Sequence, residues 1–351
     1  WVRGIERGLR FGAHGGPLMG SGDWNDGMSL VGARGKGESV WLGFFLHAVL
    51  TQFSELAQRR NDLDFAKRCE IEAARLRDNL DKSSWDGAWY RRAWFDDNSP
   101  LGTSANAECR IDSIAQSWAA LSGAGDPQRT HMAMKSVDRE LVHRDAALVQ
   151  LLDPPFNQSA PDPGYIQGYL RGVRENGGQY THAAVWAAMA FVAIGDSARA
   201  WELATMINPV NHAKTAASIA TYTTEPYVLA SDVYALAPHT GRGGWTWYTG
   251  SAGWMYQLIV ESLLGLRVEA DQLRIVPCLP VDWTGYKLHY RYRETVYHIT
   301  VAQTIDEGGG QQVSMDGVDA RDSIVSLVDD RREHTIAVMV HRSRDASMGD
   351  A

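Results

Sequence analysis

Ala183-Ala-Val-Trp-Ala-Ala-Met-Ala-Phe-Val-Ala-Ile194 is apolar on every face. This run is too short for a bilayer, which needs about 20 residues, and it is the most apolar stretch that the sequence offers. A helix apolar all round belongs inside a large fold. The next segment, Asp196 to Ile207, is amphipathic and fits an outer partner. Outward from this pair the pattern stays helical. Glu38 to Leu56 puts Trp41, Phe44, Phe45, Ala48, Val49, Phe53 and Leu56 on one side at spacings of three and four. Ser104 is positioned to cap a helix whose stripe is Ile111, Ile114, Ala115, Trp118 and Leu121, ended by Gly123. Gly253 to Leu264 reads as another helix, and Ile5 to Leu9 as a helical start. Inner and outer helices joined by long Gly- and Trp-rich loops predict an α/α toroid, and no fixed repeat period supports a regular solenoid.

The texture changes near residue 267. Tyr286, Leu288, Tyr290 and Tyr292 alternate with Lys287, His289, Arg291 and Arg293; Tyr297, Ile299 and Val301 alternate with His298 and Thr300. Period two is the signature of half-buried strands. Gly308-Gly309-Gly310 and Asp316-Gly317 read as turns, and Ile336, Val338 and Val340 as a last strand. The expected organisation is a mostly α portion over residues 1–267, a small antiparallel β-sandwich domain over 268–345, and a frayed tail over 346–351.

The 351 residues carry 34 Lys plus Arg against 42 Asp plus Glu, a net charge of −8, which argues against nucleic acid as partner. Cys69, Cys109 and Cys278 are odd in number and widely spaced, so neither a disulfide framework nor a zinc site is expected, and a reducing, cytoplasmic setting fits. No secretory signal is visible at the N-terminus. Trp1 is not Met and the chain runs straight into helix-like sequence, which reads as a piece of a longer protein. The 13 Trp and 13 Tyr against 8 Phe suit either helical core packing or sugar-stacking surfaces.

Three loops carry candidate chemistry. In Gly20-Ser-Gly-Asp-Trp-Asn-Asp-Gly27 two carboxylates flank a Trp and an Asn. Sugar chemistry uses such a set: an acid for the leaving oxygen, a ring and an amide to hold the sugar. The same run also suits an Asx-turn loop with both Asp residues capping amides. Glu175-Asn-Gly-Gly-Gln-Tyr-Thr-His182 feeds the buried helix, whose N-terminal amides attract anions; a core-capping histidine is the alternative. Gly241-Arg-Gly-Gly-Trp-Thr-Trp-Tyr-Thr-Gly-Ser251 also leads into a helix, and Thr249, Gly250 and Ser251 suit an anion nest or a plain cap. No GK[ST] follows these glycines, which disfavours a nucleotide site. An inverting hydrolase needs a second carboxylate to activate water. Phosphorolysis does not, because phosphate is already an anionic nucleophile that needs only positioning and charge neutralisation.

His14-Gly-Gly-Pro-Leu-Met-Gly-Ser-Gly-Asp-Trp-Asn-Asp-Gly-Met28 and Gly35-Lys-Gly-Glu-Ser-Val-Trp-Leu42 resemble glycoside hydrolase family 94, the inverting phosphorylases of β-glucosides. Arg110 to Trp118, Glu175 to His182, Trp247 to Met255 and Leu273 to Pro280 resemble further blocks of that family. The wording is most similar to the phosphorylase-like region of cyclic β-1,2-glucan synthases and to 1,2-β-oligoglucan phosphorylases. The resemblance implies an (α/α)6 barrel, here incomplete, followed by a β-sandwich. The family's N-terminal β-sandwich, linker and first barrel helices have no counterpart in this sequence. It implies Asp26 as general acid, Trp24 lining the sugar subsite before the scissile bond, and Glu175 on a sugar hydroxyl. His182, Thr249 and Gly250 would hold phosphate, with Asp23, Asn25 and Gln179 as supporting substrate-binding residues. No metal or organic cofactor is implied; inorganic phosphate is the co-substrate. The implied partners are an oligosaccharide and phosphate, with no membrane contact by this segment. A homodimer and a covalent place in a larger synthase both fit, the latter at the cytoplasmic face of the inner membrane. Two other functions stay open: an inverting hydrolase on the same toroid, and a non-catalytic glucan-binding domain.

Overall fold

The computed structural model describes residues 2–247, 249–306 and 309–343. Among them run ten α-helices: α1 (Val2–Gly8), α2 (Val40–Arg59), α3 (Leu63–Ser83), α4 (Ser113–Leu121), α5 (Pro127–Leu141), α6 (Thr181–Ala193), α7 (Ser197–Ile207), α8 (Pro209–His212), α9 (Ala216–Tyr222) and α10 (Thr249–Gln257), the last continuing into a π-helical turn, Leu258–Leu263. The chain forms two compact units. One gathers the residues up to Ile194 with Leu203–Trp254; the other gathers Gly195–Glu202 with those from Met255 onward.

In the first unit α6 is buried as its composition requires. Val185, Trp186 and Phe191 are each at most 3% exposed, and each such side chain contributes about 1.5–3 kcal/mol by leaving water. α4 packs against α6, α5 and α2, while α2 packs against α3. The α2–α3 contact is close: a Cβ on Gly43 would stand 2.8 Å from Leu80 Cδ2. α3 supplies Ala66, Cys69, Ala73, Leu76 and Leu80 as its buried stripe, the three-and-four spacing of an amphipathic helix. By length and hydropathy alone α2 is long and apolar enough to cross a membrane, whereas α6 is apolar but shorter, as expected of Ala183–Ile194. Its Trp41, Phe44 and Leu50 are buried within this unit.

Three helices of the first unit start in one way. Two-residue strands, Glu38–Ser39, Ile111–Asp112 and Gln179–Tyr180, pair with neighbouring backbone and run directly into α2, α4 and α6. Ser39 Oγ accepts from the Leu42 amide and Asp112 Oδ1 from the Ile114 amide. Ser104 therefore does not cap α4. Its amide is bound by Asp86, Cys109 turns the chain with φ +47°, and Ile111–Asp112 joins a ladder before the helix begins.

The second unit is the small sheet domain. Its strands begin at Leu266. Leu266–Glu269, Gln272–Ile275 and Ile324–Ser326 form one sheet; the other runs in the order Gly285–Tyr292, Thr295–Asp306, Glu333–Ser343, Gly310–Met315, Val318–Asp319. Leu273 and Ile275 from the first sheet and Ile299, Val301, Ile336 and Val338 from the second share one core. The expectation of an all-antiparallel domain needs correcting. Thr295–Asp306 and Glu333–Ser343 pair in parallel, Ile299 opposite Ile336 and Val301 opposite Val338. A parallel pair needs a long crossover, and residues 307–332 supply it with strands of both sheets. The Asp316-Gly317 turn forms as read, with φ +50° and +81°. Gly308 and the tail 346–351 lie outside the described residues. The first turns of α7 belong to this unit: Trp201 Nε1 donates to the Cys278 carbonyl (2.6 Å), and Arg342 donates to Ser197 Oγ (3.0 Å).

Candidate functional site

The Asp23–Met28 turn rests on a buried charge cluster. Arg92 grips Asp23 with two hydrogen bonds of 2.7 Å, Nη1 to Oδ2 and Nη2 to Oδ1, and its Nε reaches Asp112 Oδ2 at 3.0 Å. All three side chains are 0% exposed. Asp23 Oδ2 also accepts from Ser39 Oγ (2.6 Å) and Oδ1 from the Asn25 amide (2.9 Å). That last bond is the Asx-turn expected as one reading of the loop. Only Asp23 uses it. Asp26 stands exposed on the far side of the turn, which the Met28 amide closes on the Asn25 carbonyl. Gly22 has φ +133°, and a Cβ there would meet the Asp26 Cα at 3.0 Å, so a side chain at this position would be strained. Asn25 is buried, and neither side-chain polar atom has a protein partner.

Trp24 points toward the start of α6. Its ring meets Tyr180 edge-on at 5.4 Å, His182 at 5.3 Å and Trp186 at 5.2 Å. His182 lies in the first turn of α6, between Trp186 and Trp254 at 4.4 and 5.7 Å. Burial lowers its pKa to about 4, so the imidazole is neutral near pH 7, and its Nε2 has no protein partner. Gly250, in the first turn of α10, faces it: a Cβ there would lie 4.0 Å from His182 Nδ1. Thr249 and Gly250 are exposed. Two helix N-termini thus flank a neutral histidine and an indole, and amide donors at such ends favour anions.

Glu175 is buried. Its Oε2 has no hydrogen-bond partner and lies 3.4 Å from Arg174 Nε. Burial raises its pKa, and the nearby Asp26 charge adds to that. Gln179 is occupied below the surface, accepting from the Val149 amide (2.9 Å) and donating to Thr181 Oγ1 (3.4 Å). Gln179 and Asp23 are thus bound within the fold. Among the described residues no group of three or more His, Cys, Asp or Glu is placed to hold a metal.

Sequence reading missed several neighbours. Tyr165 hydrogen-bonds Asp26, and burial with that carboxylate pushes its phenol up to about 12. Tyr165 meets Tyr169 at 6.0 Å, and the Arg174 guanidinium lies over Tyr169 (4.8 Å) and Trp245 (5.9 Å). These residues form an aromatic and cationic ledge beside the acid. The excess of Tyr and Trp was its only sequence signal. Asp232 ties the ledge together by accepting from the Arg174 and Trp245 amides.

Residues 2–265 match the glycosyl hydrolase 94 superfamily, catalytic domain. The chain belongs to the glycoside hydrolase 94 family. Residues 266–305 of this family 94 chain match the glycosyl hydrolase family 65 C-terminal domain. It is 48% identical over 299 residues to the cyclic beta-(1,2)-glucan synthase NdvB of Rhizobium meliloti (strain 1021), covering 85% of this chain and 11% of that one. To the solabiose phosphorylase of Paenibacillus borealis it is 29% identical, over 93% of this chain and 42% of the relative. To the 1,2-beta-oligoglucan phosphorylase of Listeria innocua it is 24% identical, over 82% and 28%. The chain therefore spans less than half the length of each of these relatives.

Proposed function

We propose that this chain carries the core of an inverting phosphorolysis site for β-glucosides, with β-1,2-linked glucooligosaccharides as substrate and α-glucose 1-phosphate as product. In this reading a phosphate oxygen attacks the anomeric carbon of the terminal glucosyl unit. The bond from that carbon to the bridging oxygen breaks, and Asp26 delivers its proton to the leaving oxygen. The proton carried by phosphate restores Asp26, and the remaining glucan is one unit shorter. Trp24 and Glu175 hold the glucosyl unit that is transferred. His182 and the α10 amides at Thr249 and Gly250 receive phosphate. Tyr165, Tyr169 and Arg174 line the leaving side. Asp23, Asn25 and Gln179 support substrate binding from beneath.

The observation that carries this reading is the pairing of one exposed carboxylic acid with two helix N-termini around an unpartnered, neutral histidine. Such an arrangement suits an anionic nucleophile. The β-1,2 linkage draws support from the likeness to NdvB over most of the chain. The same likeness supports an (α/α)6 barrel completed by other parts of a longer protein, a hexosyltransferase held within a synthase, and action at the cytoplasmic face of the inner membrane. No organic cofactor, metal or nucleic acid enters the proposal; its partners are oligosaccharide, phosphate and the rest of the parent, as monomer or homodimer. The test is an assay on the parent-length protein, offering β-1,2-glucooligosaccharides and cellooligosaccharides with and without phosphate. Glucose 1-phosphate that requires phosphate and disappears in Asp26→Asn is the expected result. Free glucose formed without phosphate would mark a hydrolase, and binding without turnover a glucan-binding domain.

A further inference from the structure

We propose that Arg92 is a positioning residue for Asp26, acting through Asp23 on the chemical step. The proposal rests on the phosphorolysis reading for its kinetic arm only. Arg92 lies outside every candidate loop, 69 residues from Asp23 and 20 from Asp112. One guanidinium joins three elements. Its fork holds Asp23 at the base of the acid's turn, its Nε holds Asp112 at the head of α4, and Nη1 reaches Ser39 Oγ at the head of α2 (3.4 Å).

Stability alone does not account for this arrangement. Burying an ion costs several kcal/mol, and apolar replacements of buried triads are often neutral or stabilising. What an apolar triad cannot do is fix a direction. Guanidinium and carboxylate meet in one plane, and the second Asp sets the rotation of that plane. Both Asp23 oxygens are bound twice, by Arg92 and the Asn25 amide on one side and by Arg92 and Ser39 on the other. Asp23 therefore has one orientation available. The Asx-turn transmits it to Asn25, and the Asn25–Met28 turn carries it to Asp26. A proton donor set one ångström wrong loses on the order of a hundredfold in rate.

The test uses the parent-length protein with Arg92→Lys and Asp112→Asn. Lysine keeps the charge and loses the planar fork. With phosphate saturating, Arg92→Lys should lower kcat about a hundredfold while KM for the oligosaccharide stays within about twofold. Amide hydrogen exchange at residues 24–28, read without substrate, should become faster. A kcat change below about threefold, or a loss carried wholly by KM, overturns the proposal; so does unaltered exchange. If Arg92→Lys fails to fold, Asp112→Asn decides. It keeps the fork and frees its rotation, so kcat should fall by a smaller factor, and an unchanged kcat overturns the proposal. A wild-type protein that turns over without phosphate would sink the phosphorolysis reading and leave the exchange result to judge Arg92.

Discussion

In the proposed reaction Asp26, Glu175 and His182 would divide tasks that one residue type cannot perform together. An acid must stay accessible, and Asp26 is exposed. A sugar ligand gains from desolvation, and Glu175 is buried with its Oε2 paired to Arg174 by charge but without a hydrogen bond. Asp26→Asn is expected to lower turnover by about 10²–10⁴-fold, the range of general acid catalysis, checked by glucose 1-phosphate release. His182 makes a pH prediction. Its folded pKa lies near 4 because burial disfavours the cation, against about 6.5 when unfolded. The unfolded chain then binds the proton more readily, so this contribution to stability is full above about 6.5 and is lost as pH falls toward 4. Tm against pH should show that decline, and His182→Gln should flatten it. Phosphate next to the ring favours the cation, so added phosphate should also flatten it.

At the scale of elements, the site depends on how helices begin. Ser39→Ala removes the α2 cap and a donor to Asp23 together, and an expected cost of about 1–2 kcal/mol can be read by urea unfolding. Gly22→Ala places a methyl against the Asp26 backbone at a φ that L-residues avoid. Its expected cost is about 1–3 kcal/mol, together with a fall in kcat. Helix α6 was legible because its evidence is local: every face of Ala183–Ile194 is apolar. The start of α4 was not. Ser104 is a good cap by type, but Ile111–Asp112 enters a ladder with Leu152–Asp153, a pairing that no local pattern announces. The Asp-Trp-Asn-Asp turn was legible as a candidate acid loop, whereas its anchor Arg92 sits in unremarkable sequence and becomes visible only when the fold joins residues 23, 92 and 112.

At the scale of the whole molecule, the strand texture after Gly265 was legible and its topology was not. Alternation gives a strand its faces, while the parallel pairing of Ile299 with Ile336 is a long-range choice. The sheet unit also recruits Gly195–Glu202 from between α6 and the rest of α7, which amphipathicity could not have indicated. Trp201→Ala removes a hydrogen bond to Cys278 and a ring contact of 4.8 Å to Trp283. A loss of roughly 2–3 kcal/mol is expected from a half-buried Trp, seen as a lower Tm for the sheet unit. The aromatic cluster has one more consequence. Trp186 lies 5.2–6.1 Å from Trp24, Trp41, Trp118 and Trp254. Indoles that close share their excited states, so their near-ultraviolet circular dichroism belongs to the group and not to each ring. A sugar seated on Trp24 would alter the signal of the whole set, giving the unlabelled protein a built-in optical report of occupancy.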